Sequence, residues 1–151
     1  MKIQKWDKQG DIFKGALDPI YRDLDHCDVY YVETKAFAVL NHRPKYAPYL
    51  RAGILEIQDI FVLHDYRQQG LATALINHCE AITNGDVIGI SVPVSPRFGA
   101  AQRLYYKLGY MPDGNGVTYD RQMLDHNSRV QLNDDLCLMM VKELCKVTKP
   151  K

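Results

Sequence analysis

The sequence predicts a single mixed α/β domain, and three stretches carry that expectation. Residues 57–80 (IQDIFVLHDYRQQGLATALINHCE) open as a strand, because Ile57, Ile60, Phe61, Val62 and Leu63 form an apolar run too short for a buried helix. They close as a helix, with Leu71, Ala74, Leu75, Ile76, Cys79 and Ile82 spaced to make one apolar face. Residues 29–32 and 37–40 are two apolar runs around Glu33-Thr34-Lys35, which reads as a hairpin without the Asn-Gly type of turn. Residues 87–92 (VIGISV) are apolar with no alternation, as expected of a strand buried on both faces. A chain of 151 residues suits one domain burying about two-thirds of its unfolded surface.

The remaining elements follow in order. Residues 1–6 allow a weak first strand. A helical stretch starts at Asp11 as N-cap, with Ile12, Phe13, Ala16 and Leu17 on its apolar side; Pro19 interrupts it, and Ile20, Tyr21 and Leu24 resume the pattern to about His26. Residues 42–51 (HRPKYAPYLR) read as a loop whose tyrosines and prolines would form a substrate wall. Asn84-Gly85 reads as the C-cap of the helix that opens near Gly70. Pro93 and Pro96 bound an irregular link, and residues 98–108 form a second helix ended by Gly109. Residues 112–116 (PDGNG) are a turn cluster, and 117–123 with 136–141 form a C-terminal hairpin around a polar loop. The tail from Lys146 is expected to fray.

Between the strand and helix of 57–80 lies the polar turn His64-Asp65-Tyr66-Arg67-Gln68-Gln69-Gly70. A strand delivered through a short loop to a helix N-terminus is an anion receptor, because the first-turn amides have no intrahelical acceptor. Gly70 and Ala72 keep side-chain bulk away from those amides, and Arg67 adds a charged contact. The turn is neither GxGxxG nor GK[ST], which disfavours a dinucleotide fold and a P-loop and leaves a pyrophosphate of another kind.

Two segments carry a resemblance. Arg67-Gln68-Gln69-Gly70-Leu71-Ala72 resembles the Q/R-x-x-G-x-G/A motif of the GNAT superfamily of acyl-CoA-dependent N-acyltransferases. Residues 101–110 (AQRLYYKLGY) resemble that family's A-x-x-L-Y-x-K-x-G-F segment, in the expected order after it. The resemblance is specific over roughly residues 52–112. It implies a single N-acetyltransferase domain over 1–151, with a central, mixed but mostly antiparallel sheet flanked by helices and splayed at its central strands. It also implies acetyl-CoA as co-substrate, an amine acceptor and no metal.

The resemblance further implies site residues. Backbone amides of Arg67, Gln68, Gln69, Gly70, Leu71, Ala72 and Thr73 would hold the pyrophosphate, and main chain at Val62 and Leu63 would receive the pantetheine arm. Val62 N–H would donate to the thioester carbonyl, and Tyr105 would donate a proton to the departing thiolate. The family often has Asn where this chain has Phe98, so Phe98 would pack against the arm rather than hydrogen-bond it. Tyr106, next along, should face elsewhere. Glu56 is the favoured base and Asp59 its competitor, and simple alternation would put them on opposite strand faces unless a bulge intervenes. His26 and His64 are further possible bases, and Lys107 could reach the nucleotide.

Bulk properties exclude other classes. A formal net charge of +1 gives no electrostatic reason for a nucleic-acid partner. Cys27, Cys79, Cys137 and Cys145 form no CxxC or zinc spacing, and Cys79 and Cys137 read as small core residues. With no signal peptide and no membrane-length apolar run, the expected location is cytoplasmic. A homodimer is left open. The rival reading is a non-catalytic CoA-binding or regulatory module.

Overall fold

A computed structural model describes residues 1–10, 13 and 25–144. The helical stretch expected between Asp11 and His26, Cys145 and the tail from Lys146 lie almost wholly outside them. The described strands are β1 (Gln4–Lys5), β2 (Cys27–Val32), β3 (Ala36–Asn41), β4 (Leu55–Val62), β5 (Val87–Pro93), β6 (Met111–Tyr119), β7 (Gln122–Met123) and β8 (Leu136–Glu143). The helices are α1 (Ala47–Ala52), α2 (Leu71–Ile82) and α3 (Gly99–Lys107). The chain divides into two compact units, Met1–Arg43 with Leu55–Thr83, and Pro44–Ile54 with Asn84–Lys151.

In the first unit β1, β2, β3 and β4 pair antiparallel in that order. The β2–β3 hairpin closes at Glu33 (φ 49°) with Lys35 N–H donating to Val32 O at 3.0 Å. Successive strand residues face opposite sides. On one side Cys27, Val29, Phe37 and Val39 pack with Trp6 and Phe13. On the other, Tyr30 meets His78 of α2 at 4.7 Å between ring centroids. Burial, reinforced by the Asp28 charge, pushes the Tyr30 phenol up to about 12, so it stays protonated. Leu71, Leu75, Ile76 and Cys79 form the buried stripe of α2; Ile82, expected on that face, is exposed.

In the second unit β8 is central, pairing antiparallel with β5 along its whole length and with β6, which in turn pairs with β7. β5 is buried at five consecutive positions, as its unbroken apolar run implies. Two expectations fail here. Residues 42–51 contain α1 rather than only loop, because Pro48 sits at the first turn, where its missing N–H costs nothing, and Gly53 (φ 69°) ends the helix left-handed. Tyr46 and Tyr49 are then fully buried, so they form core rather than a substrate wall. They pack edge-to-face on each other and against Cys137 and Met139.

Residues 112–116 also depart from expectation. They are not a turn between elements but an irregularity within β6, whose register to β8 jumps from Pro112 to Val117. Gly114 and Gly116 take φ of 90° and 79°, which absorbs the extra residues. Asp113 accepts from Asn115 N–H at 3.0 Å and from the Tyr46 hydroxyl at 2.5 Å, pinning the irregularity to α1. Nor is Asn84-Gly85 the cap of α2: Thr83 is, at φ −76°, and its hydroxyl returns to Cys79 O at 2.7 Å.

Candidate functional site

The turn from β4 into α2 is built without side-chain caps. Leu63 enters a 3-10 turn at His64–Tyr66, Arg67 is extended, and Gln68 (φ 62°) and Gly70 (φ 78°) are both left-handed. Left-handed residues within such a turn allow successive N–H groups to converge into an anion-binding concavity. Gly70 is the N-cap of α2 and contributes no side-chain hydrogen bond, so the first-turn donors have no local side-chain acceptor. A Cβ at Gly70 would meet no protein atom within 4 Å. The glycine is therefore favoured by its backbone hand rather than by lack of room. Arg67 Nε donates to Val62 O at 3.2 Å, which tethers the exposed guanidinium beside the turn and leaves its terminal nitrogens to other contacts. Gln68, Gln69, Leu71, Ala72 and Thr73 complete the same local structure.

The end of β4 is oriented by one main-chain bond. Leu63 N–H donates to Lys35 O at 2.9 Å, so that amide faces β3. Alternation along a strand then turns the Val62 N–H toward the opposite edge of β4.

Further back, β4 contains a bulge. Val39 pairs with Asp59, Leu40 with Ile57 and Asn41 with Glu56, so the register skips Gln58, which has no partner on β3. This overturns simple alternation. Asp59 shares a face with Val39, Glu56 shares one with Asn41, and Val39 and Asn41 lie on the same face of β3. Glu56 and Asp59 are thus brought to one face. Burial separates them: Glu56 is 1% exposed, whereas Asp59 is exposed.

Tyr105 and Phe98 belong to the second unit. Tyr105 is buried on α3 beside Tyr110 at 6.4 Å between centroids, whereas Tyr106 is 74% exposed on another side of the helix. Phe98 is half-buried in the 3-10 turn Pro96–Phe98 that leads into α3. Gln102 Nε2 donates to Pro93 O at 2.9 Å and fixes the start of α3 to the end of β5. Lys107 and His64 are exposed. Among the described residues no three His, Cys, Asp or Glu side chains gather as metal ligands.

Sequence reasoning passed over Asn41 and Gln58, which hydrogen-bond each other, and misread buried Tyr49 as part of a substrate wall. A polar Asn closing an apolar strand was the available signal for the first.

Comparison with known proteins decides the family. The acetyltransferase (GNAT) domain matches residues 25–112, more than half of the chain. The chain belongs to the GNAT acetyltransferase family. No curated protein matches the sequence. Among solved structures, this GNAT chain is similar to a Bacillus subtilis acetyltransferase in complex with CoA, with a TM-score of 0.64, 17% identity and coverage of 95% of this chain and 98% of the other. It is also similar to an IAA acetyltransferase from Bacillus cereus, with a TM-score of 0.65, 15% identity, and coverage of 95% and 99%. Nourseothricin acetyltransferase matches with a TM-score of 0.53 and 17% identity over 78% of this chain, which spans only 64% of that protein. At such identities the likeness establishes the mixed α/β GNAT fold.

Proposed function

We infer that this GNAT chain is an N-acetyltransferase, a single catalytic domain that binds acetyl-CoA and passes its acetyl group directly to a primary amine. The observation that carries the reading is the uncapped N-terminus of α2 behind left-handed Gly70, whose donors suit a diphosphate. A complex with CoA among its structural neighbours supports it.

Each requirement of the reaction has a candidate group. The acceptor nitrogen must lose a proton, since an alkylamine with pKa of about 10.4 is charged at neutral pH. Glu56, directly or through water, takes that proton, and exposed Asp59 on the same face is the competitor. The Val62 N–H donates to the carbonyl oxygen as negative charge develops there. The C–S bond then breaks, and the Tyr105 hydroxyl supplies a proton to the thiolate, as the family resemblance implies. Transfer without an acyl-enzyme is supported by the cysteines among the described residues: Cys27, Cys79 and Cys137 are buried, and burial pushes the Cys79 thiol up to about 12.

The test is a thiol-release assay with acetyl-CoA across a panel of amines. Acceptor-dependent release of CoA supports the enzyme; CoA binding with no release for any amine supports a non-catalytic module. Two variants probe the roles. Tyr105→Phe should lower kcat about tenfold or more while leaving CoA affinity unchanged, in keeping with the usual contribution of a positioned acid. Wild-type kcat would remove Tyr105 from the reaction. Glu56→Gln should lose most activity at neutral and lower pH and recover as pH rises toward the amine's own pKa of about 10, where no base is needed. A deficit that does not change with pH would shift the role to Asp59 or water.

A further inference from the structure

The β4 bulge is held by a side-chain strut. Asn41, the last residue of β3, is 5% exposed and lies opposite Glu56. Its Nδ2 donates to Gln58 Oε1 at 2.9 Å, and its Oδ1 accepts from Arg43 N–H at 2.8 Å. One side chain thus ties the exit of β3 to the β4 residue that the β3 register skips.

We propose that Asn41 is a positioning residue, which through Gln58 fixes the bulge that places Glu56 and Asp59 on one face of β4. The physical reason is register. With the bulge, three steps along the strand return to the same face; without it, three steps end on the opposite one. An extra residue in a strand is free to slip along it unless something local fixes its position, and the pairing with β3 passes over Gln58. An amide is suited to this duty. It donates to Gln58 and accepts from Arg43 N–H at once, and both polar ends of a nearly buried side chain are satisfied. The proposal rests on the reading of this carboxylate face as the proton-accepting side of an acetyltransferase, but the strut itself can be measured without turnover.

The experiment compares wild type with Asn41→Leu, Gln58→Ala and the exchanged pair Asn41→Gln/Gln58→Asn. The last keeps the amide-to-amide bond and the total length. Each is measured for kcat, KM for the amine, CoA affinity and amide hydrogen exchange along β4. Gln58 is half-exposed, so Gln58→Ala guards against simple misfolding of the Asn41 variant. Both single variants should lower kcat by about tenfold or more, as expected for displacement of a reacting group by about 1 Å. CoA affinity should stay within roughly twofold, exchange should quicken locally at residues 56–60, and the exchanged pair should recover most of kcat. Unchanged exchange at 56–60 in both single variants overturns the strut. Loss of kcat and CoA affinity together, in step with the folded fraction, reduces Asn41 to a stability role and overturns positioning. Should wild type acetylate no amine, the functional reading fails, and local exchange at 56–60 alone decides for or against the strut.

Discussion

Replacing Gly70 by glutamate is expected to raise the dissociation constant for CoA at least about a hundredfold, with little change in global fold. Two effects act in one direction. Gly70 sits at φ 78°, where a residue with a Cβ is strained by about 1–3 kcal/mol, and relief of that strain would re-aim the amides that open α2. The new carboxylate would also stand where a diphosphate must approach, and like charges at such range oppose binding by further kcal/mol. Because a Cβ at this site meets no protein atom within 4 Å, the folded state has no steric objection beyond the backbone strain. Binding and stability should therefore separate. Gly70→Ala isolates the backbone contribution and should weaken CoA by a smaller factor. Isothermal calorimetry for affinity with thermal melting for stability checks both. Unaltered affinity in the glutamate variant would move the diphosphate elsewhere.

Tyr49→Ala should be the most destabilising of the single changes considered, lowering stability by about 3–5 kcal/mol, as truncation of a buried aromatic does. For a chain of this size that is a fall in melting temperature of roughly 10–15 °C. Tyr49 is fully buried on α1, and its hydroxyl reaches two main-chain oxygens of adjacent strands, Ile90 O at 3.3 Å and Met140 O. The ring lies against Gly89, where any Cβ would come within 2.5 Å of it. Space at Gly89 is therefore filled by Tyr49 rather than left for a strand side chain. Tyr49→Phe should cost about 1–2 kcal/mol, reporting the hydroxyl alone. Gly89→Ala should also destabilise, since overpacking a closed contact costs about 1–3 kcal/mol. A Tyr49→Ala protein that melts like wild type would show that α1 does not anchor the second unit.

These cases show which features were legible in the sequence. Strands β2, β3, β4 and β5 were readable as short apolar runs, α2 from its apolar face, and α3 from its Gly109 stop and the family-like segment 101–110. The left-handed entry to α2 was readable because glycine suits the positive φ that position 70 takes. The Glu56–Asp59 arrangement was not, because a bulge leaves no mark in hydrophobic periodicity; it is set by which residue of β3 pairs with which of β4. α1 was hidden by its length, six residues beginning with Ala-Pro, too short for a period to appear. Its tyrosines, read as a substrate wall, are core residues whose hydroxyls reach Asp113 and two strand carbonyls. PDGNG reads as a turn in any local analysis, and only cross-strand pairing with β8 makes it part of β6.

In the proposed function the turn between β4 and α2 grips a diphosphate through its main chain. Calorimetric titration of the protein with CoA, set beside pantetheine, which has the thiol arm but no diphosphate, tests it directly. The expected result is saturable binding of CoA and affinity for pantetheine lower by at least about a hundredfold, a gap of about 2.7 kcal/mol. Equal affinity for the two, or no heat with CoA at all, would contradict it.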